Sequence, residues 1–117
     1  MYRDFRLYLD RMQESAAKVL RFTEGFDHDR FMADDMTFDA VMRNLVIVGA
    51  AAGRVPAEVR ARYPQVEWRR IVSFGQRARR KYFGVSKAMV WNIVQTDMPV
   101  LAAQVQEIRQ REGSVNE

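Results

Sequence analysis

The densest chemistry in the chain lies between Trp68 and Lys81, where Arg69, Arg70, Arg77, Arg79, Arg80 and Lys81 occur with no acidic residue among them. Guanidinium forks grip phosphate, so RNA or another phosphate-bearing partner is one reading; a solvated helix face is the other. Arginine stays protonated at neutral pH and cannot pass protons. The group suited to that work is imidazole, and the only histidine is His28, in an acidic stretch far along the chain from the arginines. A single loop histidine reads as an exposed bystander. There is no cysteine, no His/Cys/carboxylate cluster at metal spacing and no glycine-rich phosphate loop, so neither a metal nor a cofactor is expected. Met12, Met36, Met42, Met89, Met98, Trp68 and Trp91 read as core and interface filler.

Charge is unevenly distributed. Residues 1–40 carry six basic and nine acidic side chains, residues 41–87 eleven and two, and residues 88–117 two and four. The positive field is confined to the middle of the chain, where it can attract phosphate. The N-terminus is charged and amphipathic, with no apolar signal core. The longest apolar run, Leu45 to Gly53, has nine residues, about half a membrane span. No membrane association is expected, and the absence of cysteine is compatible with a cytoplasmic location.

The elements that must carry these side chains are helical. Phe5, Leu9, Met12, Ala16 and Val19 recur at three- and four-residue spacing, predicting a helix over about 3–22 that closes near Gly25. Residues 26–36 are acidic and irregular, with one turn around Asp29 to Ala33. Thr37 offers an N-cap for a helix to about Arg54, with Phe38, Val41, Leu45, Val48 and Ala52 on one stripe. Ile47 and Ala51 form a second stripe, which predicts burial on two sides. Pro56 and Pro64 bracket a short helix. Another runs from Trp68 to about Tyr82–Gly84, and Ser86 caps the next, which Asp97 and Pro99 restart or kink. The prediction is one all-α domain over residues 1–111, an antiparallel bundle of about four to six helices, with 112–117 frayed. The second stripe, with the aromatics Phe5, Tyr8 and Trp91, predicts a two-fold homodimer.

Several stretches together resemble the HepT-like family, toxin partners of MNT-type nucleotidyltransferases within the wider group of HEPN domains. They are Arg6-Leu7-Tyr8-Leu9-Asp10-Arg11-Met12 with Arg21-Phe22-Thr23-Glu24-Gly25, and Arg43-Asn44-Leu45-Val46-Ile47-Val48-Gly49. Arg62-Tyr63-Pro64 with Trp68-Arg69-Arg70-Ile71 follows, then Tyr82-Phe83-Gly84-Val85 and Val90-Trp91…Val94…Asp97-Met98-Pro99-Val100-Leu101. The resemblance covers about residues 4–108 and rests on order and spacing rather than on any one piece. It implies a HEPN-like homodimeric bundle, metal-independent RNA cleavage and an MNT-type antitoxin as partner.

The family's catalytic motif is Arg, four to six residues, then His, often followed by one residue and Tyr. Anchored on Tyr82, it places Gly75 at the Arg position, Gln76 at the usual Asn and Arg80 at the His; Ala50 stands where the family commonly has Glu. The catalytic positions Gly75, Gln76 and Arg80 are thus all substituted. RNA cleavage without a metal needs a base for the 2′-hydroxyl, an acid for the leaving oxygen and cations around the developing charge. Neither Gly75 nor Arg80 can move a proton. The resemblance also makes Tyr82 the residue an antitoxin partner could adenylylate, with packing beside Phe83 as the structural alternative. Arg77, Arg79, Arg80 and Lys81 remain as candidate RNA or phosphate contacts. The expectation is a HepT-like toxin component with a degenerate site; the alternative is a non-catalytic dimeric module that binds RNA or a nucleotidyltransferase.

Overall fold

A computed structural model describes residues 4–80 and 85–113. Among them it contains helices and no strand: α1 (Arg6–Phe22), α2 (His28–Ala33), α3 (Asp35–Arg54), α4 (Ala57–Arg62), α5 (Trp68–Arg79), α6 (Lys87–Asn92), a π-helical turn (Ile93–Asp97) and α7 (Met98–Glu112). The all-α bundle expected from the periodicity is what forms. α6, the π turn and α7 follow one another without a break, so the seven α segments make six rods.

α3 is the spine, packed between α1 and α5, while α7 lies along α1. By length and composition α3 is apolar enough to cross a membrane, but its Val41, Met42, Leu45, Val48, Ala51 and Ala52 are buried inside the bundle. The burial of Ala51 bears out a second inward stripe. Ile47, on the same stripe, is only half-buried.

Several boundaries are set by identifiable side chains. The Asp34 carboxylate accepts the Thr37 N–H at 2.9 Å, so the N-cap of α3 is Asp34 rather than Thr37. That hydrogen bond is also the main reason the Asp34 carboxyl titrates below its usual value. Asp27 caps α2 in the same way, and an acidic stretch that reads as irregular thereby closes into helix. The Ser86 hydroxyl accepts the Met89 N–H at the start of α6, as its sequence position predicts. At the π turn the rod widens before Pro99, whose ring nitrogen has no hydrogen to give the preceding turn.

Ends are tied down by long-range polar contacts. The Tyr63 hydroxyl donates to Glu112 Oε2 at 2.5 Å, and Arg62 pairs with the same carboxylate. Glu112, expected to lie in the frayed tail, is therefore the last residue of α7 and is held. Asp10 and Arg109 pair across α1 and α7 at 2.6 Å, and Lys87 bridges α6 to Asp35 and the Met32 carbonyl.

Candidate RNA-facing site

α5 is launched by the Trp68 indole, which donates to the Tyr63 carbonyl at 3.1 Å. Trp68, Ile71, Phe74, Gly75 and Ala78 face inward. The outer surface therefore falls to Arg69, Ser73, Gln76 and Arg80, with Arg70 and Arg77 on one flank and Val72 and Arg79 on the other. All five arginines are exposed.

Gly75 is buried at the crossing with α3, face to face with Gly49. A Cβ added at Gly75 would stand 2.7 Å from the Gly49 Cα and 3.1 Å from the Leu45 carbonyl oxygen; one added at Gly49 meets the Gly75 backbone equally closely. Position 75 thus lacks a side chain and, at this helix separation, the room for one. Beside the crossing, Gln76 and Arg79 join Val46, Ala50, Gly53 and Val72 around a shallow groove of about 180 Å³. Ala50 also lines a neighbouring hollow of about 400 Å³ with Tyr8, Arg11, Ile47 and Arg54. Position 50, far from positions 75 and 76 in sequence, meets them on this α3–α5 face. Arg80, one turn beyond Gln76, caps the C-terminal end of α5.

The arginines that sequence spacing grouped do not form one patch. Arg79 borders the α3 groove, whereas Arg77 lies on the other flank with its Nη1 3.7 Å from the Met89 sulfur of α6. Lys81 and Tyr82 lie outside the described residues. His28 opens α2, where Asp27 caps the backbone, and its ring contacts the neighbouring Asp29 at 3.3 Å; it is more than half exposed and lines none of these grooves. Among the described residues no cluster of His, Cys, Asp and Glu could hold a metal ion.

The sequence gives no sign of one further polar feature. Arg70 meets Asp97, in the π turn, through two hydrogen bonds of 2.9 Å from Nε and Nη2. The hydrogen-bonded carboxylate raises the Arg70 pKa above its usual value, and Asp97 neutralises one of the five cations. The remaining α5 arginines have no carboxylate within reach among the described residues. The surface can therefore hold an anion. Among the described residues that line the α3–α5 groove, Gln76 and Arg79 included, there is no histidine and no carboxylate.

A family model described as Ribonuclease HepT-like matches residues 12–108. A candidate RNase of Methanocaldococcus jannaschii is 33% identical over 89% of this chain and 95% of its own length. The probable ribonuclease HepT of Thermococcus cleftensis is 28% identical over 93% of this chain and 99% of its own. A protein of M. jannaschii described as a gamma-glutamylcyclotransferase and candidate RNase is 31% identical over 92% of this chain, which spans only 49% of that longer protein. No solved structure matches the chain significantly.

Proposed function

The chain belongs to the HepT-like ribonuclease family, and from that membership we propose that it is the HepT-like component of a toxin–antitoxin pair whose own RNA-cutting site is degenerate. It works in the cytoplasm as a homodimer, keeps the RNA-facing surface of its relatives and engages an MNT-type nucleotidyltransferase. The observation that carries the degenerate site is the Gly49–Gly75 crossing. Where the family's motif calls for a phosphate-gripping arginine, two helix backbones touch and leave no room for a side chain. At the motif's histidine position stands Arg80, which can bind phosphate but cannot serve as acid or base. Loss of a positioned acid or base costs about 10²–10⁴-fold in rate.

The second reading, a non-catalytic module that holds RNA or a nucleotidyltransferase, is favoured by the exposed arginines of α5, which support binding without any cutting chemistry. An adjacent nucleotidyltransferase gene supports the paired reading; its absence supports the module.

The test is incubation of the protein with total RNA beside an Arg80→His variant and an Arg80→His, Gly75→Arg double variant. The unmodified chain is expected to leave RNA intact. Cleavage by the unmodified chain overturns the degenerate-site reading. Cleavage by the double variant alone would support both the family chemistry and its loss here.

A further inference from the structure

On the flank of α5 turned away from the α3 groove, a second depression of about 450 Å³ opens between α5 and α6. Its rim is made by Arg70, Ser73, Arg77 and Asn92, and Phe74 and Met89 contribute to its floor. None of the motif positions lies in it. The rim is a set of donors. Among the described residues Arg77 has only the thioether of Met89 as a partner, a weak, neutral acceptor that does not compensate the guanidinium charge. Arg70 spends Nε and Nη2 on Asp97, which leaves its Nη1 edge for another acceptor. Asn92 uses its carbonyl oxygen to accept from Thr96 at 3.4 Å, so its amide NH₂ is left to donate. Ser73 adds an exposed hydroxyl. Among the described residues no carboxylate lines this depression.

We propose that this α5–α6 groove binds the phosphodiester backbone of single-stranded RNA, with Arg77 as the principal phosphate contact and Asp97 as a brake that holds Arg70 partly neutralised. The inference rests on the reading of the chain as RNA-binding and adds to it a track separate from the degenerate motif. Convergent guanidinium, amide and hydroxyl donors are what proteins use to position a nucleic-acid backbone. An apolar floor of aromatic and thioether groups can take the flat face of a base. Ser73 and Asn92 can also exchange hydrogen bonds with a ribose 2′-hydroxyl, the group that distinguishes RNA from DNA.

The experiment is fluorescence anisotropy with a labelled single-stranded oligoribonucleotide across a salt series, using the full chain and four forms of it. Arg77→Gln should weaken binding several-fold and reduce the salt slope by about 1, the signature of one lost phosphate contact. Asp97→Asn should act in the opposite direction, tightening binding and steepening the slope as Arg70 is released. Arg21→Gln, which removes the same charge at the far end of α1, should change affinity little. Arg79→Gln reports on the α3 groove. Circular dichroism establishes that each variant is folded. The groove assignment is overturned if Arg77→Gln binds like the unmodified chain while Arg79→Gln is weakened, a result that leaves RNA binding intact but moves it to the other flank. Equal weakening by Arg77→Gln and Arg21→Gln also overturns it, because only bulk charge would then matter. A DNA strand of the same sequence that binds as tightly as the RNA overturns the RNA assignment. No binding by the unmodified chain overturns both this inference and the RNA-binding reading on which it stands.

Discussion

At the scale of single residues, Gly75 decides more than the arginines around it. Alanine is a better helix former than glycine by about 1 kcal/mol, so a glycine in mid-helix ordinarily invites replacement. Here the added Cβ meets backbone atoms of α3 at 2.7 and 3.1 Å, and backbone cannot swing aside as a side-chain tip can. Overpacking a helix crossing costs about 1–3 kcal/mol, which outweighs the gain in propensity. Gly75→Ala is therefore expected to lower the Tm by roughly 4 °C. Gly53, on the same face of α3, provides the contrast: its added Cβ would meet only Val72 Cγ2, at 3.9 Å, an ordinary contact. Gly53→Ala should raise the Tm. Thermal melts of the two variants in one buffer check the pair, and a stabilised Gly75→Ala would mean that α3 and α5 can part more easily than their packing implies. The same steric argument bears on restoring the motif, since an arginine at 75 must first push the two helices apart.

At the scale of elements, helix positions were legible wherever periodicity or a capping residue was strong. The α1 and α3 stripes, the Pro56–Pro64 bracket and the Ser86 cap all predict what forms. Two boundaries were not legible, one because its signal was double and one because it has almost none. Asp34 and Thr37 can both cap, and the extended backbone at Asp34 settles the choice. The π turn leaves no mark in sequence beyond Pro99. Relations between elements were less visible still. Gly49 and Gly75 are 26 positions apart, and Arg70 and Asp97 meet only because α5 lies beside the π turn. Sequence therefore named the motif positions but not their crowding, and it grouped Arg77 with Arg79 although they sit on opposite flanks of α5. The link between the end of α4 and the end of α7 carries a pH prediction. Burial first, then the hydrogen bond to Glu112, raises the Tyr63 pKa above its ordinary value of 10.0. For an acid raised by folding, both states are protonated below pH 10 and the contribution is fully present there. Above that pH the unfolded chain ionises first, and stability is lost. The unmodified protein should therefore lose Tm more steeply than Tyr63→Phe as the pH rises above 10. Parallel slopes for the two proteins would show that Tyr63 does not couple α4 to α7.

At the scale of the whole molecule, assembly turns on the α3–α5 face and the α1 surface beside it. Two of the aromatics that pointed to a dimer are satisfied within the chain. Trp91 packs against Phe31 with ring centroids 5.1 Å apart and the rings tilted by 33°, and Phe5 packs against the core, so neither needs a second chain. What remains is a continuous surface on α1 and α3, where Tyr8, Val46, Ile47 and Ala50 line a hollow rimmed by Arg11 and Arg54. Those two arginines have no carboxylate partner among the described residues. The hollow shares Val46 and Ala50 with the groove that holds Gln76 and Arg79. A two-fold contact through Ile47 would bury the apolar part and bring two copies of the motif positions to one cleft edged with cations. An isologous interface demands only that one patch be self-complementary, which a small apolar stripe with Ala50 at its centre allows. Light scattering at micromolar concentration is expected to give twice the 13.7 kDa chain mass. Ile47→Asp should give the single-chain mass with unchanged helicity, because Ile47 is only half-buried within its own chain and a charge there meets solvent once the partner leaves. RNA binding by that variant should weaken as well, because two α5–α6 grooves would no longer be held on one particle and avidity would be lost. A monomeric unmodified protein would remove the dimer altogether. A dimer that survives Ile47→Asp would place the interface on another face, and the motif positions would then belong to each chain alone.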